Sequence, residues 1–184
     1  MIWRNVVNID FSLTYNPKEE YNEIGYHTTF VMYKESIIKN GFYKSTKENE
    51  WLGEGVYFWD NEVNALWWKS KSKSFKKCIF ICKLKCCISK YLDLDNEMGK
   101  FETFSHKYLK TISSDNGKKP CFKNADECRK FFCDAYCSKN DICILAYTFD
   151  HDIVSRYGFK IGTVKRRQIC VRDPACISIV DIKE

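Results

Sequence analysis

The stretch Trp51–Asp60, WLGEGVYFWD, decides how the chain is read. Glycines at 53 and 55 permit backbone angles, or a close ligand approach, that a Cβ forbids. The run Val56, Tyr57, Phe58, Trp59 behind them is β-branched and aromatic and predicts a strand. A Gly-x-Gly turn feeding such a strand offers ring faces and bare backbone to a flat molecule. It serves equally well as a tight turn into a core strand.

Upstream of this stretch, Val6–Leu13 and Gly25–Phe30 alternate as strands, the second carrying His27. Val31–Lys39 suits a short amphipathic helix stopped by Asn40 and Gly41. Downstream, NEVNALWWKSKS predicts a helix capped by Asp60 or Asn61, with Val63, Leu66 and Trp67 on its apolar side. The lysines at 69, 71, 73, 76 and 77 read either as a solvated face or as a landing strip for nucleic acid.

Cys78–Cys86 alternates as a central strand, and Tyr91–Leu94 predicts a short second one. Residues 96–139 read as a helical insertion, broken at Asn116–Pro120 into helices around Phe101–Ile112 and Ala125–Ser138. Ile142–Phe149, Arg166–Val171 and Ile177–Ile182 supply the remaining strands. Asp150, His151 and Asp152 read as a polar turn, since three adjacent residues cannot all converge on one metal.

With 184 residues, 45% of them hydrophobic, one domain spanning 1–184 is expected. The cysteine count, 11, is odd and no leader pattern precedes the first strand, which predicts a reducing cytoplasm. No C-x-x-C occurs, so structural thiols and no metal are expected. No apolar run of about 18 residues suggests a membrane span. A net charge of +6 and a pI near 8.7 hint mildly at an acidic partner.

Several landmarks then fall in a telling order. A strand carries His27, Thr28 and Thr29; a helix stops at NGF, 40–42; G-E-G-V-Y-F follows at 53–58; a helix carries Trp67 and Trp68; and QICVRDPACI closes at 168–177. This order resembles the poly(ADP-ribose) polymerase and diphtheria-toxin-like branch of the ADP-ribosyltransferase superfamily. The resemblance covers most of the strands but not the insertion at 96–139.

The resemblance implies an α+β fold with a split, twisted β-sheet, and NAD as co-substrate without a metal. It implies catalytic roles for His27, Tyr57 and Gln168. His27 would hydrogen-bond the adenosine-side ribose, the Thr28 backbone would hold the nicotinamide carboxamide with Thr29 in support, and Tyr57 and Trp68 would sandwich the ring. Gly53 and Gly55 would let the cofactor approach. Ala65 stands where the family usually has a serine, so that contact is expected to be lost.

Gln168 stands where the family usually has glutamate. Glutamine keeps hydrogen-bonding capacity and loses charge, which favours transfer of one ADP-ribose over polymer growth. A base must then come from elsewhere, with Glu54 and Asp60 the nearest candidates in sequence.

The acceptor is expected to be RNA, DNA or protein, with Lys69, Lys71, Lys73, Arg166 and Arg167 as a basic rim. The likeness is to bacterial toxins or effectors, for which an antitoxin or inhibitor is a natural partner. Two alternatives stay open: a catalytically weak NAD- or ADP-ribose-binding module, and an RNA 2′-phosphotransferase-like enzyme, for which the flanking arginines are missing. The arginine, S-T-S and E-x-E branch of the toxins is mimicked only by Ser45, Thr46, Glu48 and Glu50, crowded in one loop.

Overall fold

The computed structural model describes residues 19–47, 50–71, 75–116 and 120–184. The expected strand at Val6–Leu13 and the residue Lys73 lie outside them. The described strands are β1 (Glu20–Phe30), β2 (Val56–Trp59), β3 (Lys77–Cys87), β4 (Tyr91–Asp93), β5 (Ile144–Val154), β6 (Lys160–Val171) and β7 (Ile177–Lys183). The described helices are α1 (Lys34–Asn40), α2 (Glu62–Ser70), α3 (Leu94–Asn116) and α4 (Ala125–Asn140). The chain is therefore α+β, with one mixed seven-stranded sheet in the order β4-β5-β6-β2-β1-β3-β7. Among the described strands, only β4 with β5 runs parallel.

The pairing is uneven in a way that positions the site. β1 matches β3 over its whole length, Glu20 to Phe30, yet meets β2 at a single register pair, Tyr26 with Trp59. The sheet thus narrows to one paired position between β4-β5-β6-β2 on one side and β1-β3-β7 on the other.

Alternation along the strands sorts the core onto two faces. Phe58, Phe80, Leu84, Ile144, Ile169 and Val171 share one cluster with Ile37 of α1 and with Phe42. Their sequence neighbours point the other way. Leu145 and Cys170 pack with Leu94, Phe132 and Cys133 under α3 and α4, while Trp59 and Ile79 pack with Ala65 under α2. The helical region at 96–139 is thus a core-forming cover for one half of the sheet.

Local signals fix the ends of several elements. Gly41 closes α1 at φ 78°, a conformation that disfavours a Cβ, and donates its N–H to Ile37 O at 2.9 Å. Asn124 caps α4 by accepting from Glu127 N–H at 2.8 Å, and Asp126 and Glu127 sit in the first turn, where the macrodipole favours acids. α3 begins earlier than its apolar pattern predicts, because Asp93 accepts the Asp95 N–H at 3.0 Å and starts the helix there.

Two expectations are corrected. α2 does not bury Val63 and Leu66, which are exposed; it buries Asn64 and Ala65. The small alanine lets the helix approach Trp59 and Ile79 closely, and the Asn64 amide donates to Asp60 Oδ1 at 2.9 Å. Nor is Asp150–Asp152 a turn. These residues continue β5, opposite Lys165, Val164 and Thr163 of β6, and the turn comes at Ser155–Phe159. Ladder pairing with β6 extends the strand where hydrophobic alternation gives no sign of it.

The eleven cysteines are thiols, none of them in a disulfide among the described residues. Burial pushes those of Cys82 and Cys137 up to about 12, so they stay protonated at neutral pH and pack as small apolar groups. Among the described residues no helix is long and apolar enough to cross a membrane.

Candidate functional site

Where β1 and β2 part, a cleft of about 370 Å³ opens between α2 and the loop preceding β2. Its lining includes His27, Thr28, Gly55, Tyr57, Trp68 and Gln168, brought from two halves of the sheet and from α2. A larger groove of about 790 Å³ runs along α3, but it is open and carries no histidine; its Glu97 and Lys100 pair with each other at 2.7 Å. The cleft at the sheet's narrowing has the convergent polar and aromatic groups of a ligand site.

His27 is held across that narrowing. Its Nδ1 lies 2.7 Å from the Tyr57 carbonyl oxygen, which can only accept, so Nδ1 carries the proton. Burial lowers the imidazole pKa and outweighs the opposing pull of that carbonyl, so the ring is neutral at pH 7. Nε2 is then an acceptor. Against a ribose hydroxyl, His27 would therefore receive a hydrogen bond, with its donor already committed to the backbone. Phe42 and Phe58 wedge the ring at 5.2 and 5.6 Å between centroids.

Tyr57 is equally constrained. Its hydroxyl donates to Gly53 O at 2.7 Å and accepts from Leu52 N–H at 2.9 Å, and burial raises the phenol well above its ordinary pKa. The oxygen is thus occupied in shaping the loop. What Tyr57 presents to a ligand is its ring.

Thr28 turns its hydroxyl to α2, donating to Ala65 O at 3.1 Å, so the side chain ties β1 to the helix. Its backbone faces the same side of β1 as that of Tyr26, two residues back, and so looks into the gap where β2 diverges. Gln168, opposite Trp59 on β6, has no side-chain hydrogen bond among the described residues.

The far wall is aromatic and cationic. Trp67 stands edge-on to Trp59 at 5.9 Å, with the Arg166 guanidinium 3.8 Å and the Lys71 ammonium 4.9 Å from its ring centroid. Arg166 also donates to Asn64 Oδ1, and its Nε is buried without a partner. His151 meets Trp67 edge-on at 4.7 Å; burial, Arg166 and Lys71 together lower its pKa.

Other residues singled out in the sequence lie outside the lining or, like Gly55, are also fixed by packing behind it. Gly53 is outside the lining; its φ is 88°, and a Cβ there would strike Asp134 Oδ1 and Arg172 Nη1. At Gly55 a Cβ would strike Cys170 Sγ and come within 2.9 Å of Val171 O. Both glycines therefore answer packing needs. Thr29 is paired with Cys78 and lies outside the lining, as does Lys69.

Arg167 points away from Arg166 and is occupied by Asp93 at 2.8 Å, Asp95 at 2.5 Å and Tyr91 at 2.9 Å. Glu54 is exposed beside Lys130, and Asp60 accepts from Asn61 and Asn64. Neither acid lines the cleft.

Tyr43, Lys47, Glu50, Trp51 and His151 also line the cleft, and none of them carried an expected role in it. Glu50 and Trp51 precede the glycine turn in a polar loop, and His151 sits between two acids that suggest a solvated turn. A separate group, Cys143, Asp173 and Cys176, brings its donor atoms within 4.8 Å of one another. Burial pushes the Cys176 thiol to about 11 and raises that of Cys143, so both carry their protons at neutral pH in the metal-free protein.

The chain matches no model of a known protein family, and a search of curated proteins finds no match.

Proposed function

We propose that this chain is an NAD-dependent mono-ADP-ribosyltransferase, cleaving nicotinamide from NAD and passing one ADP-ribose to a macromolecular acceptor. The observation that carries the reading is the meeting of His27, Tyr57 and Gln168, from β1, β2 and β6, in one cleft. These are the three positions that the resemblance marks as catalytic.

In this reading the nicotinamide lies between the Tyr57 ring and Trp68, and its carboxamide takes the Thr28 backbone where β1 lacks a neighbouring strand. A carboxamide has the donor and acceptor that such a strand edge requires. His27 accepts from a ribose hydroxyl through Nε2. Gln168, its amide without a partner among the described residues, orients the other ribose hydroxyls without adding charge, consistent with single-unit transfer.

Incubating the protein with labelled NAD and a cell lysate tests this. Transfer to protein, RNA or DNA is expected as single units, found by mass spectrometry as one added ADP-ribose. Loss of transfer in Tyr57→Ala and His27→Ala, with the fold retained, would support the roles given to them. Long polymers would refute the single-unit reading. A second reading, a catalytically silent NAD-binding module, draws on the missing charge at Gln168; binding of NAD without nicotinamide release would favour it.

A further inference from the structure

We infer that Glu50 is the catalytic carboxylate of the cleft, supplying from the loop before β2 the charge that Gln168 lacks on β6; this rests on the transferase reading. Among the described lining residues Glu50 is the carboxylate, and it faces the same space as Tyr57, His27 and Gln168.

Its position is built from both sides. Upstream, Ser45 and Gly55 exchange backbone hydrogen bonds at 2.8 and 3.1 Å, pinning the loop to the start of β2. Downstream, Trp51 packs on Phe149 at 4.7 Å between centroids, and Leu52 is fully buried. The Ser45 hydroxyl donates to Glu50 Oε1 and orients the group, while Oε2 has no protein partner among the described residues. The carboxylate is also close enough to Tyr57 to add to burial in raising its phenol. Glu54 and Asp60, nearer in sequence to the tyrosine, are held outside the cleft by their own partners.

The chemistry needs such a group. As the bond from C1′ of the ribose to the nicotinamide nitrogen breaks, its electron pair leaves on that nitrogen, the pyridinium becomes neutral, and positive charge builds at C1′. A fixed carboxylate stabilises that charge in a site shielded from water. The acceptor then donates a lone pair to C1′, and its proton passes to Glu50 and on to solvent. Gln168 binds hydroxyls throughout and takes no proton.

The test uses the full chain with NAD alone, water serving as acceptor. Released nicotinamide is measured by chromatography and NAD affinity by calorimetry. Glu50→Gln keeps the shape and the Ser45 bond; it should bind NAD within about threefold of wild type yet release nicotinamide about 10²- to 10³-fold more slowly. Glu50→Asp should recover part of the rate. The double variant Glu50→Gln, Gln168→Glu, which returns a carboxylate to the third motif, should recover at least about tenfold over Glu50→Gln.

Wild-type release by Glu50→Gln overturns the assignment and leaves the transferase reading standing. If Glu50→Gln fails to fold, Glu50→Asp decides: nicotinamide release at least about tenfold slower with NAD binding kept supports the assignment, and release within about threefold of wild type refutes it. A wild-type protein that binds no NAD, or binds it without releasing nicotinamide, overturns the transferase reading and the assignment with it.

Discussion

Replacing Tyr57 with phenylalanine separates the ring from the hydroxyl. The hydroxyl serves two backbone groups, Leu52 N–H and Gly53 O, at 2.9 and 2.7 Å, and Leu52 is fully buried. The Cys170 thiol, 4.0 Å from Gly53 O, is too distant to compensate. A buried backbone group left without its partner costs about 1–3 kcal/mol, and the phenylalanine recovers some of this because no hydroxyl needs desolvating. A net loss of about 2–4 kcal/mol follows, which for a chain of this length lowers Tm by roughly 5–15 °C.

The ring that would stack on nicotinamide is unchanged. Tyr57→Phe should therefore lose stability in urea or thermal denaturation, followed by tryptophan fluorescence, while NAD affinity and nicotinamide release at 15 °C stay within about threefold of wild type. A Tm within about 1 °C of wild type would show that the hydroxyl does not hold the loop. A hundredfold loss of release at unchanged Tm would assign it a chemical role and refute the placement argued here.

Three further outcomes are expected. Gly55→Ala places a methyl against Cys170 Sγ and Val171 O and should destabilise the fold by about 1–3 kcal/mol through overpacking, measured by urea titration; wild-type stability would mean that β2 and β6 are not so closely apposed. Arg167→Gln strips Asp93 and Asp95 of a partner and, with these groups partly exposed, should cost about 1–3 kcal/mol while leaving nicotinamide release unchanged; impaired transfer at full stability would return Arg167 to the acceptor surface.

His27 titrates below the ordinary imidazole value of 6.5, because burial outweighs the Tyr57 carbonyl. The unfolded chain takes up its proton first, so stability is complete above pH 6.5 and declines as pH falls through the folded pKa. His27→Gln should flatten this limb of a stability–pH curve, His151 accounting for what slope remains; an unaltered slope would show that His27 is not buried neutral.

Much of the architecture was legible because strands such as Val56–Trp59 and Cys78–Cys86 are both β-favouring and bounded by glycine or charge. The cleft's central residues were legible for a different reason: their order in the chain, not any local periodicity, drew attention to them. What failed was local. α2 has nine residues, too few turns for Val63 and Leu66 to join Trp67 in a buried stripe, and Ala65 with a satisfied Asn64 took that place. Asp150–Asp152 reads as a turn until β6 pairs with it.

The glycines at 53 and 55 invited a ligand, yet Asp134, Arg172 and Cys170 already fill the space beside them. Glu50 could not be given a role in the cleft, since only the folded chain decides which of many acids face a common cavity. Arg166 and Arg167, adjacent in sequence, show this most plainly: strand alternation sends one onto the ring of Trp67, which lines the cleft, and the other to an ion-pair network.

The uneven pairing of β1 also sets where the molecule is softest. Separating β5 from β6 or β1 from β3 would break a ladder along the full length of a strand, whereas β1 and β2 share one register pair and the His27 bond. Opening along this line therefore breaks fewer ladder bonds than anywhere else between the long strands, with the shared core of Phe58 and Phe80 holding the halves together beneath it. A molecule gripping His27 on one side and Tyr57 on the other acts as a clasp across it. Its binding energy then appears as added resistance to unfolding, growing with ligand concentration.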